Sequence, residues 1–284
     1  MDIKVENIKG LDSIVKHKKK PIPQSSHPEF PVNLYFTYCS FGMKNSGKTY
    51  SIVKLLSLFE QYPVKDTDGS IMPNKVIWFS PTSNFSSNSI LHTLKCLDTE
   101  EDIYENVTES VIEEVFNEVK AEKELLKKKE AYIEAYKRFI KIKDPMFLKI
   151  EDILILGDYN FEPPDKIFGH LKNYVYYFVL DDLIGQKNAV LGAKKNSFVS
   201  NLVIKHRHYG INLIFTSQEI KYIPPIIRSN LDIIQLFKTS SNRNLEKYYD
   251  ECSNILTFDE FEQLFKYCTE QTYGSLIINN HQAA

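Results

Sequence analysis

The chain has no Cys-x-x-Cys pair: Cys39, Cys96, Cys252 and Cys268 stand apart, with no histidine at metal-ligand spacing. That sets aside a zinc knuckle and a disulfide framework, and the thiols read as reduced. Nor does any apolar run approach the roughly eighteen residues that a membrane span needs, and no apolar leader opens the chain. The reading expects a soluble, non-secreted protein with no membrane partner. An excess of one charge is also missing. With 35 Lys+Arg against 37 Asp+Glu the formal net charge is −2 and the pI about 6.4, so any nucleic-acid contact must come from a local basic strip rather than from bulk electrostatics. Internal repeats and low-complexity tracts are absent. What remains is 284 residues, 43% hydrophobic and 13% aromatic, enough for one large α/β domain carrying an insertion but not for two full domains.

The stretch around which the rest is organised runs from Leu34 to Leu56 and reads strand, tight loop, helix. Within it Gly42, Met43, Lys44, Asn45, Ser46, Gly47, Lys48 and Thr49, followed by Tyr50, fit G-x-x-x-x-G-K-[ST], the phosphate-binding loop, in the context the motif requires. Gly42 and Gly47 allow backbone angles that let successive N–H groups turn inward and, with the following helix N-terminus, cradle phosphate oxygens. Lys48 is placed to reach the β and γ phosphates, and the Thr49 hydroxyl to sit on Mg²⁺, which takes few protein ligands. The cofactors expected are therefore ATP and Mg²⁺. Ile52, Leu55, Leu56 and Phe59 recur at helical spacing, and the Pro63 region ends that helix.

Residues 1–31 are polar, with the run His17-Lys18-Lys19-Lys20, and read as an N-terminal arm; 32–284 form the main domain. A buried strand covers Lys75–Ser80 and stops at Pro81. From about 98 to 148 the composition turns to Glu and Lys, with neither Gly nor Pro before Pro145, and predicts a charged helical insertion. Ile112, Val119, Leu126, Ile133 and Ile140 are each seven apart, but Glu122 and Lys129 break the companion seam, so a helix packed along one edge is expected rather than a long coiled coil. Asp152 to Asp158 carries a short apolar pattern.

The run Tyr174 to Leu180 ends in Asp181-Asp182, the form of a Walker B strand. In a parallel sheet, acids at a strand's carboxyl end sit where ligands bind. Asp181 would hold the Mg²⁺ water shell and Asp182 would act as general base on the attacking water. The loop from Gly185 to Ser197, with Lys187, Lys194 and Lys195, is the DNA-contact candidate. A helix through Phe198, Val199, Leu202 and Val203 ends at His206-Arg207-His208-Tyr209-Gly210. The two histidines, at i and i+2, point apart and make a poor metal pair. Asn212–Thr216 is the next strand, finished by Ser217-Gln218; Asp232–Phe237 follows, then helices at 242–252 and 258–268 and a final strand at 275–278.

The segment from Arg207 to Gln218, then Pro224-Pro225-Ile226-Ile227-Arg228-Ser229-Asn230, resembles the genome-packaging ATPases of large nucleocytoplasmic DNA viruses and virophages, of the FtsK/HerA branch of P-loop ATPases. The resemblance covers about Leu34 to Phe237, including a strand ending Ser80-Pro81-Thr82, but neither the arm nor the insertion. It implies an α/β P-loop NTPase fold: a mostly parallel central sheet of the additional-strand type, flanked by helices. It implies Gln218 as polar sensor of water or γ-phosphate, and Arg207, with Arg228 as rival, as the arginine finger reaching a neighbouring subunit's nucleotide. Many ring ATPases have Glu after the Walker B Asp, and Asp182 is one methylene shorter. The implied activity is an ATP-driven motor that packages double-stranded DNA, and the implied partners are that DNA, a homo-oligomeric ring of about five or six subunits, and capsid or portal-vertex proteins. The implied setting is the host cytoplasm, in a virus factory, or the virion. A helicase-type or segregation motor in replication, and a nucleotide-gated capsid scaffold with little turnover, are the other readings.

Overall fold

The computed structural model describes residues 34–66, 69–81, 90–142, 145–183, 197–239, 241–252 and 256–280. The expected N-terminal arm, Thr82, and the loop lysines Lys187, Lys194 and Lys195 lie outside them. Strand β1 (Thr37–Phe41) leads through the glycine loop into α1 (Lys48–Gln61). A small hairpin, β2 (Val64–Lys65) and β3 (Ile71–Met72), precedes β4 (Asn74–Phe79). Next come β5 (Ile103–Tyr104), three helices α2 (Glu109–Ile142), α3 (Ile150–Gly157) and α4 (Pro164–Phe168), and strand β6 (Val175–Leu180). The remainder runs α5 (Phe198–Lys205), β7 (Ile211–Ser217), α6 (Pro225–Arg228), β8 (Ile233–Phe237), α7 (Asn242–Cys252), α8 (Phe258–Cys268) and β9 (Ser275–Asn279).

The main sheet has seven strands in the order β5-β4-β6-β7-β1-β8-β9. Every neighbouring pair is parallel except β8 with β9. Strands β1, β6, β7 and β8 are buried at every position, which explains why they read as unbroken apolar runs: helices cover both faces, so neither face is selected for polarity. On one face Ile52, Leu56 and Phe59 of α1 pack on Tyr38, Trp78 and Tyr177. On the other, Ile112 and Val119 of α2, Leu202 of α5, Tyr248 of α7 and Phe261 of α8 pack on Phe41, Phe178 and Phe215.

The strands expected near 34, 75, 174, 212, 232 and 275 are all present, the first beginning three residues late because Tyr35 takes a left-handed backbone with φ 64°. The insertion departs from expectation in two ways. Its helix begins at Glu109, not near Asp98; the intervening stretch supplies β5, which covers the edge of β4 by accepting from Trp78 N at Asp102 O (2.8 Å) and from Ser80 N at Tyr104 O (3.0 Å). An uncovered edge would leave that row of donors bare, and a charge-rich composition gives no hint of so short a strand. The line of residues seven apart also fails beyond its start. Ile112 and Val119 are buried but Ile140 is 52% exposed, because a straight helix drifts by about 20° per heptad and rotates such a line off the buried face.

The outer half of α2 instead buries Tyr132 and Ala135 against Leu148, Leu156 of α3 and Phe168 of α4, a second core separate from the sheet. Arg138 grips Asp152 of α3 through two bonds, Nε to Oδ2 at 2.8 Å and Nη2 to Oδ1 at 2.6 Å, which holds the Asp152 carboxyl below the usual carboxylate range. Between the two cores Lys123 donates to Asn173 Oδ1 (2.9 Å) and to the Tyr174 carbonyl (2.7 Å), and burial lowers its ammonium to about 8.

The amino ends of the central strands are joined by two buried side chains. Asn212 accepts from the backbone of Tyr35 (2.7 Å) and Phe36 (3.2 Å) and donates to the Tyr176 carbonyl (3.0 Å), tying β7 to the chain entering β1 and to β6. Asp232 accepts from Thr37 N (2.7 Å) and from Arg207 Nη2 (2.6 Å).

Candidate functional site

A parallel sheet gathers the carboxyl ends of its strands on one side, and there the glycine loop meets the Asp181-Asp182 pair. The loop must turn sharply after β1. A side chain at Gly42 would place its Cβ 2.5 Å from Ser46 Oγ and 2.7 Å from Phe237 Cβ, so only glycine fits. Gly42 N donates to Ser217 O at 3.1 Å, which pins the loop to the end of β7. Asn45 (φ 63°) and Gly47 (φ 98°) take left-handed backbones, and Gly47 caps α1 without a side-chain bond and with no acid in the first turn. The first N–H groups of α1 are therefore offered to an anion, in the partial positive field of the helix end.

Lys48 Nζ donates to the carbonyls of Gly42 (2.7 Å) and Met43 (3.0 Å), folded over the loop it serves. Burial lowers its pKa, while the charges of Asp182 and Asp181 pull the other way. Across the site Asp181 is buried, accepting from Thr216 Oγ1 at 2.6 Å and from Thr49 Oγ1 at 3.3 Å. Burial pushes its carboxyl up, against those hydrogen bonds. The same Thr216 hydroxyl accepts from Asp182 N at 2.8 Å. Asp182 itself has a left-handed backbone (φ 51°), and its buried Oδ1 has no partner among the described residues, nor does the buried Ser46 Oγ. A buried carboxylate oxygen without a donor is costly, and such atoms mark places where a ligand or water completes the structure.

The strand between the two halves of this site is β7, lying between β6 with its acids and β1 with its loop. That order, with the glycine loop and the paired acids on the same side, decides the architecture. The chain has the fold of a P-loop NTPase.

Around the loop of this P-loop fold opens a cleft of about 800 Å³, lined by Asn45, Ser46, Gly47, Lys48, Thr49, Tyr50, Ile90 and Tyr273. The residues expected to bind nucleotide thus share one cavity or adjoin it. Gln218 is exposed directly after β7 and next to the loop. Arg207 and Arg228 are elsewhere. Both precede the amino ends of strands, on the side of the sheet opposite the loop, and both are engaged, Arg207 with Asp232 (2.6 Å) and Arg228 with Glu251 (3.1 Å). Within one subunit neither faces the loop. His206 is buried, its Nδ1 2.7 Å from the Ile211 carbonyl, and burial lowers its pKa to about 4, whereas His208 is exposed.

Thr49 and Asp181 are hard oxygen donors brought within 3.3 Å of each other, with the unpartnered Asp182 oxygen following. That set fits Mg²⁺, which would take its other positions from phosphate and water. Three contributors were not singled out by sequence reasoning. Thr216 orders both acids, Tyr273 walls the cleft, and Gln235 of β8 braces the frame. Gln235 Oε1 accepts from Tyr38 (2.6 Å) and Ser40 (3.0 Å), and its Nε2 donates to Ser51 and Ser275, both at 2.8 Å. A polar residue in the middle of an otherwise apolar strand is the one signal that could have found Gln235.

No protein-family model matches the chain. A curated protein of Acanthamoeba polyphaga mimivirus, uncharacterised, is 26% identical over 107 residues, 37% of this chain and 36% of that protein, so the match spans about a third of the relative's length. Among solved structures the chain is similar to the genome packaging NTPase B204 from Sulfolobus turreted icosahedral virus 2 in complex with sulfate, at 14% identity and a TM-score of 0.49, covering 89% of this chain and 95% of that one. It is similar also to EssC (ATPases 2 and 3) from Geobacillus thermodenitrificans, at 17% identity and a TM-score of 0.45, covering 92% of this chain and 42% of that one. No helix among the described residues is long and apolar enough to cross a membrane.

Proposed function

We propose that the chain is an Mg²⁺-dependent ATPase whose turnover drives double-stranded DNA through a ring of its own copies, packaging a viral genome. The observation that carries the ATPase reading is the convergence of Thr49, Asp181 and Thr216 beside Lys48 at the open N-terminus of α1. The packaging part rests on the order of motifs through Gln218 and Arg228.

In this reading the backbone of Gly42 to Thr49 and Lys48 bind the phosphates, exchanging the loop carbonyls that now hold the ammonium for phosphate oxygens. Thr49 and Asp181 would hold Mg²⁺, which when bound would supply charge neutralisation to the phosphates. Asp182, its backbone N–H fixed by Thr216 and its Oδ1 without a partner among the described residues, orients the attacking water and accepts its proton. Gln218, at the end of the strand between loop and acids, senses the γ-phosphate. An arginine finger comes from a second copy, since Arg207 and Arg228 both face away from the loop of their own subunit. For Arg207 that role requires leaving Asp232, a buried carboxylate. Residues 1–31 would serve as an arm of a domain spanning 32–284.

Steady-state ATP hydrolysis, with and without long duplex DNA, tests the proposal in wild type and Lys48→Ala. Duplex is expected to stimulate turnover several-fold, and the variant to lose at least about 100-fold in rate with its thermal unfolding unchanged. Wild-type turnover in Lys48→Ala would overturn the assignment. Stimulation by single-stranded DNA alone would favour the helicase reading.

A further inference from the structure

We infer that Tyr273 is a stacking platform for the nucleotide's base, and that the site takes purine nucleoside triphosphates with little preference between adenine and guanine. This rests on the nucleotide reading above.

Tyr273 sits in the turn between α8 and β9, at the same end of the sheet as the glycine loop, because Ser275 pairs with Phe237 at the carboxyl end of β8. Its ring lies against the loop: a side chain on Gly47 would bring its Cβ within 3.0 Å of Tyr273 Cδ1. The cleft is lined by loop residues including Gly47, Lys48 and Thr49, and outside the loop the described lining is Tyr50, Ile90 and Tyr273. Tyr273 is 67% exposed and Tyr50 61% exposed, and neither hydroxyl has a described hydrogen-bond partner, so two broad aromatic faces are left to solvent beside a phosphate cradle. An aromatic next to a triphosphate site is matched chemically by a base, whose flat apolar faces stack on it.

The backbone adds an independent observation. Tyr273 has φ 65°, a left-handed conformation that costs a bulky side chain on the order of 1 kcal/mol and that asparagine or glycine adopts more cheaply. The turn is held there from both sides. Gly274 N donates to Gln271 O at 2.9 Å, and the next residue, Ser275, is clamped by Gln235 Nε2 at 2.8 Å. A tyrosine kept in a strained position, with one ring edge against Gly47 and most of the ring left to solvent beside the phosphate loop, points to a ligand as the reason for the ring. The surroundings also bear on selectivity. Apart from Asn45 of the loop itself, the described lining beyond the phosphates carries no amide or carboxylate to read a base edge, and stacking alone treats both purines alike.

The test is a binding titration of ATP, GTP and inorganic tripolyphosphate, each with Mg²⁺, to wild type, Tyr273→Ala, Tyr273→Asn, Tyr273→Phe and Tyr273→Trp. Wild type is expected to bind ATP and GTP within about threefold of each other. Tyr273→Ala and Tyr273→Asn should weaken both nucleotides about tenfold and leave tripolyphosphate unchanged, while Phe and Trp retain wild-type binding. Tyr273→Asn should also raise Tm, since it relieves the strained backbone, a gain that a merely structural tyrosine would not give. Unchanged nucleotide binding in Tyr273→Ala, or an equal loss for tripolyphosphate, would overturn the stacking role. A strong preference for one purine would overturn the selectivity. Failure of wild type to bind either nucleotide or tripolyphosphate would instead bring down the nucleotide reading on which the inference stands.

Discussion

The two ends of the central strands are built by opposite rules. At the amino ends, Asn212 and Asp232 are deeply buried, and each joins neighbouring strands through several hydrogen bonds to backbone or charge. At the carboxyl ends, Asn45, Asp182 and Tyr273 hold left-handed backbones and the buried oxygens of Asp182 and Ser46 lack partners among the described residues. The first end is tied together by these bonds, with Tyr35 as its left-handed residue and Asn74 Oδ1 and Arg228 Nε as its buried atoms without a partner among the described residues. The second stores strain and unmet polar demand, which is affordable only because the first end and the apolar sheet hold the frame. Stability and chemistry have been separated along a single strand direction.

Mutations that trade between the two ends should make the contrast sharper or dissolve it. The largest effect on stability is expected at the amino end. Asn212→Ala orphans two backbone N–H groups and a carbonyl in a buried setting and should cost about 3 kcal/mol, read as a lower denaturant midpoint at an unchanged m-value. A loss below half of that would mean the amino end is not the brace described.

Asp181→Asn should act in the reverse sense. Burial raises the Asp181 carboxyl, so its charge is a burden on the folded state that grows as pH rises through the raised range and disappears as the carboxyl protonates in acid. The amide keeps an acceptor for Thr216 and removes that burden. It should raise Tm in nucleotide-free buffer by a few degrees, on the order of 1 kcal/mol, while hydrolysis falls to background. A lower Tm would put Asp181 among the bracing residues.

The smallest effect is a pH dependence at the amino end. His206 is held neutral with its pKa near 4, below the value of about 6.5 in the unfolded chain. The stability it contributes is complete above pH 6.5 and is lost as pH falls towards 4, amounting to about 1 kcal/mol between pH 7 and 5.5. Chemical denaturation at those two pH values, in wild type and His206→Gln, should show a flatter dependence in the variant; an equal slope would clear His206.

Much of this was open to reading from residues alone, for definite reasons. Strands β1, β6 and β7 are apolar throughout because both faces are covered, and Gly42 and Lys48 stand in a loop whose backbone geometry admits few sequences. The helix α1 announced itself through Ile52, Leu55, Leu56 and Phe59, all buried. Thr216 was read as part of a strand, since nothing local shows that its hydroxyl meets an acid thirty-five positions earlier. Tyr273 was invisible for a related reason: its place beside Gly47 is set by the antiparallel return of β9, a pairing between residues far apart in the chain. The position of Arg207 likewise follows from which end of β7 it precedes, and that only the sheet order reveals.

The long helix α2 has a mechanical consequence. Its 34 residues span about 50 Å and carry neither glycine nor proline, and Glu109, at the inner end, accepts a hydrogen bond from Phe198 N at the start of α5. Helix bends need such a residue or a broken ladder, so the rod has no joint between the sheet and the outer core around Tyr132. Its geometry is that of a lever arm. A tilt of a few degrees where the helix rests on the sheet becomes a displacement on the order of 2 Å at its far end, about 35 Å beyond Val119, the last of its residues buried against the sheet.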